Sequence, residues 1–363
     1  MPARPSTIKD IAGRIGVSPS TVSRALNADS RISDNTRKRV RSAAEELGYI
    51  PNLSARHIRR GHSWTVGLLV PDIRNSFYNS VAACLAERCR NLSINVSLPT
   101  PEVTAPLPSF QLVLGNTDDD PQEEAGQVLA LIEARAAGLV ITPSPAPLEK
   151  TIALLRSLPV VQLHRHVPAI AGDVICMDEA AGVRAAATHL LAAGHRRIAY
   201  SGTRRDISTG AARLQGFLEA HEAAGVVPDW SMIQLRPPRA EFGAESAHQA
   251  LTARPRPTAI LFGSTELTAG GLQAIAEIGF SIPADISVIG YGDSVWSELL
   301  SPPLSTISLP SDVMAQRAAQ RIFYRIENTC TDGSQTLDGN RQGTAEHISL
   351  PPRLILRCST MPI

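Results

Sequence analysis

The chain has 363 residues, enough for two or three compact domains, and its composition (43% hydrophobic, 19% charged) is that of an ordinary globular protein. No apolar stretch is long enough to span a membrane, and the first residues lack the apolar segment of a secretion signal, so we expect a cytoplasmic protein. Five cysteines without a C-x-x-C pair predict reduced thiols, not a disulfide framework or a zinc site.

Charge is distributed unevenly along the chain. Residues 1–62 carry 12 Lys and Arg against 5 Asp and Glu, a net charge of +7, whereas the remainder carries −6. A basic segment on an acidic body favours contact with a polyanion. Charge alone is equally consistent with a solvated basic surface.

The basic segment predicts three short helices. The first covers 6–15, with Thr7 as its N-cap, and ends at Gly16, a residue that tolerates positive φ. The second covers 18–26 and opens with a serine N-cap and a proline. The third runs from 33 or 34 to 47 and is closed by a glycine. A helix, a tight turn and a second helix are typical of small DNA-binding domains.

The polar face of the second helix has an unusual composition, with short hydroxyl side chains and one long cation. Short side chains let a helix approach a groove closely, and an arginine can donate two hydrogen bonds to guanine. A helix that only packs a core has no need of this face. Its residues are Pro19, Ser20, Thr21, Ser23 and Arg24.

Three runs of sequence resemble the lactose-repressor (LacI/GalR) family of bacterial transcriptional regulators. They are TIKDIAGRIGVSPSTVSRALN, RISDNTRKRVRSAAEELGYIPNLSARHIRRG and TVGLLVPDIRNSFY, and they follow one another in the order and spacing of that family. The resemblance covers nearly the whole chain and is densest in the first 80 residues. It implies residues 1–50 as a helix-turn-helix domain, 51–63 as a hinge helix and linker, and 64–363 as a two-lobed domain for effector binding and dimerisation.

The resemblance also implies DNA contacts for individual residues. Base-reading positions are Pro19, Ser20 and Arg24, and contacts that mainly involve phosphates come from Thr7, Ser18, Thr21, Ser23 and Asn27. Tyr49, Asn52, Ala55 and Ile58 complete the expected DNA-binding set.

Ile58 stands where the family usually carries a leucine that wedges a central base step in the minor groove. The alternative is that the segment 51–62 is only a linker.

Beyond residue 64, short apolar runs alternate with helical patterns, which predicts parallel, doubly wound sheets. Expected strands are 65–70, 111–115, 138–142, 159–163, 174–176, 197–201, 258–262 and 286–290. Expected helices are 77–90, 121–136, 180–193, 211–224, 243–252, 267–278 and 311–327. The resemblance implies that these form two lobes like those of periplasmic sugar-binding proteins, with a ligand cleft between them. Residues 92–109 and 328–343 are polar or proline-rich inserts outside the resemblance, and neither receives a function.

The family pattern implies seven residues that line the cleft. They are Arg74, Phe77, His164, Arg213, Phe242, Thr265 and Asp293. Sugar-binding members commonly carry carboxylates where this chain has His164 and Thr265. With two negative charges missing and Arg213 and Arg74 present, we expect an anionic effector, such as a sugar acid or a phosphorylated sugar. The alternative is that His164 is a satisfied surface residue and Thr265 an incidental difference.

The leading hypothesis is a repressor that binds a pseudo-palindromic operator as a homodimer and responds to a small-molecule effector, with no cofactor, metal or membrane partner. Control by a protein partner is the alternative. A free solute-binding protein conflicts with the basic N-terminal segment. An enzyme is disfavoured because no nucleophile–base pair or metal constellation appears.

Overall fold

The computed structural model describes residues 6–26, 31–47, 49, 65–91, 110–331 and 344–363, although not the side chains of residues 91, 330 and 331. The chain divides into two compact units, Met1–Ser63 and Trp64–Ile363, which we call the head and the body. The predicted hinge, 51–63, lies outside the described residues.

The head contains three helices, α1 (Ile8–Ile15), α2 (Pro19–Leu26) and α3 (Asp34–Glu46). Their ends confirm the predicted capping: Thr7 and Asp10 form a capping box, and Gly16 ends α1 at φ 71°. Residues such as Ile11, Val22 and Val40 are completely buried between the three helices. A small apolar core therefore holds α2 in place and leaves its opposite face outside.

The first lobe of the body is built on a six-stranded parallel sheet in the order β11-β5-β4-β3-β1-β2. Apolar clusters cover both faces of this sheet. The strands are β1 (Thr65–Val70), β2 (Gln111–Asn116), β3 (Gly138–Ile141), β4 (Val160–Leu163), β5 (Asp173–Met177) and β11 (His347–Leu350). The helices are α4 (Ser76–Asn91), α5 (Pro121–Glu133), α6 (Glu149–Leu155) and α12 (Ser311–Thr331).

The second lobe repeats this design with the order β12-β10-β9-β8-β6-β7, in which only β12 is antiparallel to its neighbour. The strands are β6 (Ile198–Thr203), β7 (Ile233–Arg236), β8 (Ala259–Phe262), β9 (Ser287–Tyr291), β10 (Ser305–Ser308) and β12 (Arg353–Ile355). The helices are α7 (Glu179–Ala192), α8 (Ser208–Ala223), α9 (Ala240–Thr252), α10 (Thr265–Ile278) and α11 (Val295–Leu299), with a 3₁₀ turn at Trp230–Met232.

The chain passes between the lobes three times, after β5, after β10 and after β11. Helix α12 therefore follows a strand of the second lobe but packs on the first, where Arg321 and Arg325 bind the buried carboxylate of Asp173 at 2.6–3.3 Å. Burial opposes the charge of Asp173, but these hydrogen bonds lower its pKa to about 2.

All eight predicted strands are present, whereas β7, β10, β11 and β12 were not predicted. These four are only three or four residues long and carry polar side chains, so they lack the apolar runs of the central strands. The first four residues of the predicted insert 328–343 belong to α12, which corrects that boundary; the rest of it, and 92–109 between α4 and β2, lie outside the described residues.

Candidate functional site

The outer face of α2 carries the residues predicted to read bases. Pro19, Ser20 and Arg24 are exposed, whereas Val22 and Ala25 on the same helix are fully buried. Arg24 has no ion pair or hydrogen bond among the described residues of the head, so its guanidinium is available to an external acceptor. An exposed, uncommitted arginine beside short hydroxyls suits contact with a nucleic-acid groove.

Ser18 organises the hydroxyls at the start of α2. Its Oγ accepts a hydrogen bond from the backbone N–H of Thr21 at 3.1 Å, which confirms the predicted N-cap. The same oxygen lies 2.7 Å from Ser20 Oγ and 2.8 Å from Thr21 Oγ1. The three hydroxyls therefore form one cluster at the positive end of the helix dipole, where phosphate oxygens are favourably placed.

The other residues predicted to contact DNA lie in different environments. Thr7 hydrogen-bonds Asp10 through both its N–H and its hydroxyl, at 2.7 Å each, so its side chain already has a capping role. Tyr49 packs against the core of the head. Ser23 is half-buried on α2. Asn27, Asn52, Ala55 and Ile58 lie outside the described residues.

In the body, a cavity of about 240 Å³ lies where the carboxyl ends of strands from both sheets meet, and we call it the cleft. Ligands of open parallel sheets bind at such ends. The volume is slightly below the ~300–1,000 Å³ typical of sites for drug-sized molecules, which limits the cleft to a small ligand. Five of the seven predicted residues line it: Arg74, Phe77, His164, Arg213 and Thr265.

Arg213 is hydrogen-bonded through all three of its nitrogens to partners that the sequence did not reveal. Its Nε and Nη2 donate to the two carboxylate oxygens of Glu179 at 2.7 and 3.1 Å, and its Nη1 donates to the carbonyl of Gly263 at 2.7 Å. The Tyr291 ring lies 4.1 Å from the guanidinium carbon, and the Tyr291 hydroxyl donates to Glu179. Burial disfavours the charged carboxylate, but Arg213 outweighs it and keeps the pKa of Glu179 below its ordinary value. Arg213 and Glu179 therefore form a closed, buried ion pair.

His164 lies in the interior of the cleft wall, not on the surface. It is only 9% exposed, adopts φ 67° at the end of β4, and its ring centroid lies 4.8 Å from that of Phe77. Burial lowers its pKa to about 3 despite Glu179 Oε1 at 3.5 Å from its Nδ1. The imidazole is therefore neutral at physiological pH and contributes no positive charge to the cleft.

Two predicted residues do not line the cleft. Asp293 accepts hydrogen bonds from Thr306 and Arg357, both at 2.7 Å, and this ion pair commits its carboxylate to the second lobe. Phe242 packs against the α9–α10 side of that lobe, with the Arg236 guanidinium 5.8 Å from its ring centroid. Neither side chain provides a hydroxyl acceptor or an apolar face to the cleft in this structure.

Two further arginines of the cleft, Arg74 and Arg165, are also paired with carboxylates. Arg74 is exposed and binds Asp72 through two hydrogen bonds of 2.9 Å, and Arg165 binds Asp119 at 2.5 Å. Together with the Arg213–Glu179 pair, these contacts weaken the basis of the predicted anionic effector, because that prediction counted the arginines as uncommitted cations. The sequence-based estimate of local charge omitted these carboxylates: Glu179 and Asp119 are distant in sequence but close in space, whereas Asp72 lies only two residues from Arg74.

Among the described residues, no group of three or more His, Cys, Asp or Glu side chains has the arrangement of a metal site. No helix in this part of the chain is long and apolar enough to cross a membrane.

Comparisons with known proteins agree with these two units. Residues 7–52 match the model of bacterial regulatory proteins of the lacI family, and residues 187–360 match that of a periplasmic binding protein-like domain. Over 362 residues, 99% of each chain, the protein is 30% identical to the HTH-type transcriptional regulator DegA of Bacillus subtilis. It is 31% identical to GalR of Escherichia coli over 89% of this chain and 90% of that one.

A solved structure of the Lac repressor bound to ONPG in its repressed state superimposes with a TM-score of 0.74 and 25% identity, over 98% of this chain and all of the other. These relatives are transcriptional regulators. The chain therefore belongs to the lacI family of bacterial regulatory proteins, and it is a DNA-binding transcriptional regulator with a helix-turn-helix head and a two-lobed body, not an enzyme.

Proposed function

We propose that this regulator is a repressor that binds a pseudo-palindromic operator as a homodimer, with α2 of each head in the major groove, and that a small molecule in the cleft changes its affinity for DNA. The observation that carries the proposal is the exposed guanidinium of Arg24, which has no partner among the described residues of the head, on the same helix as the hydroxyl cluster of Ser18, Ser20 and Thr21. One three-helix head covers only a half-site, so a two-fold dimer needs a two-fold site.

Exposed apolar side chains on both lobes support dimerisation of the body. Val113 and Leu114 are more than 40% exposed on β2, which is the edge strand of the first sheet among the described strands. Val295 and Leu299 are about 80% exposed on α11 of the second lobe. An apolar edge strand left open promotes aggregation, and a second copy of the chain would cover it.

The cleft supports a small-molecule effector over a protein partner. It is a cavity of about 240 Å³, and its walls carry charged and polar side chains such as Asp118, Arg165 and Thr203. Concave sites with a few polar groups are typical of small-molecule binding. A protein surface that docks on the outside of the body would not enter such a cavity. The insert 92–109 lies outside the described residues.

Selection of binding sites from random DNA, followed by footprinting of the full chain, tests DNA recognition. We expect two half-sites related by a two-fold axis and binding that weakens steeply with salt. An asymmetric single half-site bound by a monomer would contradict the proposal.

Sedimentation tests the dimer. Leu299→Asp should shift the protein towards monomer, whereas Val227→Asp, which changes a side chain 87% exposed on a loop of the same lobe, should not. Equal behaviour of the two variants would exclude α11 from the interface.

A further inference from the structure

The two lobes of the body meet at the short segment that follows β4, residues 164–166. His164 belongs to the first lobe, and its Nδ1 lies 3.5 Å from Oε1 of Glu179, the first residue of α7 in the second lobe. Two residues further on, the backbone N–H of His166 donates to Oγ of Ser208, the first residue of α8, at 3.1 Å. Two-lobed binding domains open and close by hinge movement, and separation of these lobes would break both contacts.

On its other side, the imidazole of His164 packs against aromatic rings of its own lobe. The ring centroid of Phe77 lies at 4.8 Å and that of Tyr78 at 6.2 Å. Burial raises the pKa of Tyr78 to about 12, so this neighbour carries no charge. In the part of the chain that the structure describes, His164 Nδ1 has no hydrogen-bond partner. A neutral imidazole fits these surroundings, whereas a charged one would be buried at a high cost in free energy.

The charged groups that face His164 do not compensate for this cost. Glu179 attracts a positive charge, but its carboxylate already accepts two hydrogen bonds from Arg213. Burial lowers the pKa of His164 to about 3, because the attraction of Glu179 is opposed by repulsion from Arg213 and Arg165. A solvated imidazole takes up a proton near pH 6.5. Between these two values His164 gains a proton when it leaves these surroundings, and separation of the lobes is the movement that exposes it.

We propose that His164 is an acid-sensitive latch between the lobes: as a neutral imidazole it packs against Glu179 in the closed cleft, and its protonation holds the lobes apart. The open form then binds one proton more than the closed form, so the closed form is favoured above pH 6.5 and loses stability relative to the open form as the pH falls towards 3. With an ordinary histidine pKa in the open form, the ratio of open to closed molecules rises about tenfold between pH 7.5 and pH 5.5.

Hydrogen exchange of the full chain tests the latch without any ligand. The His166 amide is bonded across the lobes, so its protection reports their separation even when the open form is rare. Fragment-ion mass spectrometry resolves this amide, and we expect its protection factor to fall about tenfold between pH 7.5 and pH 5.5. The amides of β4, inside the first lobe, should not lose protection in parallel. Protection of His166 that does not depend on pH, or an equal loss in β4, would overturn the proposal.

Substitutions separate the latch from a general sensitivity to acid. Asparagine tolerates the φ of 67° at position 164 and does not titrate, so His164→Asn should hold the protection of the His166 amide constant within about twofold over the same pH range. His164→Gln, which retains more of the side-chain volume, should give the same result and replaces His164→Asn if that variant folds poorly. A loss of protection in these variants as large as in the wild type would overturn the proposal.

The matched control is a second buried histidine whose pKa is lowered by burial. His221 lies within the second lobe, where its Nδ1 is 2.9 Å from the carbonyl oxygen of Phe217 on its own helix. His221→Gln should retain the tenfold, pH-dependent loss of protection at His166. If His221→Gln abolished that loss as His164→Asn does, the effect would reflect general stability, and the assignment to His164 would be wrong.

The consequence for DNA binding rests on the proposed function, in which a change in the cleft alters operator affinity. In gel shifts at pH 7.5 and pH 5.5, the operator affinity of the wild type should change by up to about tenfold more than that of His164→Asn. Equal pH dependence of the two proteins, together with the expected exchange result, would refute the coupling between cleft and head and leave the latch standing. Failure of the wild type to bind any DNA would refute the proposed function alone.

Discussion

The head and the cleft each contain an arginine predicted to bind a ligand, and the structure gives the two opposite surroundings. Arg24 is exposed and has no partner among the described residues of its unit, whereas Arg213 is 4% exposed and hydrogen-bonded through three nitrogens. Residue type alone therefore does not say whether a positive charge is available. Availability depends on which carboxylates the fold brings within reach.

The largest expected effect comes from breaking the buried pair. Glu179→Gln should lower the free energy of unfolding of the body by about 3–5 kcal/mol, because it leaves the Arg213 charge buried without its partner. Urea unfolding followed by circular dichroism measures this. A matched control joins the same two helices, α7 and α8, at the surface: Arg184 and Glu219 form an exposed pair. Glu219→Gln should have no measurable effect. Comparable losses in the two variants would show that burial does not set the strength of these pairs.

The second largest expected effect is on DNA binding and concerns Arg24, the exposed arginine of the head. Arg24→Ala should cost roughly 1–3 kcal/mol of operator affinity per contacted base pair and relax the preference at that position. Fluorescence anisotropy on operator and random duplexes measures both the loss of affinity and the loss of sequence preference. Arg41→Ala, at an exposed arginine on α3, should weaken both duplexes alike or not at all. If Arg24→Ala also lowers both affinities equally, Arg24 is only a phosphate contact.

The smallest effect belongs to Arg74, the cation expected from sequence to bind an anionic effector. Its guanidinium is 82% exposed and already held by Asp72. Arg74→Ala should leave the Tm unchanged and the affinity of an uncharged probe within about twofold. Calorimetry with glucose, ribose and adenosine as uncharged probes gives the comparison. A tenfold or larger loss would restore Arg74 as a ligand-binding residue.

The head was predictable because its signals are local. The Thr7–Asp10 capping box, the Ser18 N-cap and Gly16 each lie within four residues of the groups they satisfy, so the sequence shows both partners close together. The order of strands and helices in the body was predictable for a similar reason, since each central strand carries its own apolar run.

The charge state of the buried part of the cleft was not predictable, because the partners of its arginines are distant along the chain. Arg213 and Glu179 are 34 residues apart, and Arg165 and Asp119 are 46 apart. The Arg74–Asp72 pair, in contrast, spans only two residues. Glu179 immediately follows the N-cap of α7, Asp178, and at that position a glutamate is usually a solvent-exposed helix-dipole partner. Only the packing of α7 on α8 shows that it is a counterion. Asp293 lies outside the expected site because Arg357, 64 residues away, binds it, and Phe242 because it packs against the α9–α10 side of the second lobe.

The three passages of the chain between the lobes have a consequence for synthesis on the ribosome. The first lobe needs α12 and β11, whose residues 311–350 are made only after most of the second lobe. Its buried Asp173 therefore lacks Arg321 and Arg325 while more than a hundred residues are translated, which at ~5–20 residues per second takes many seconds. During that interval β5 has an open edge. We expect the nascent body to depend on chaperones more than a regulator with two contiguous lobes would. Pulse proteolysis of stalled chains that end before and after residue 350 would measure the difference in protease resistance of the first lobe.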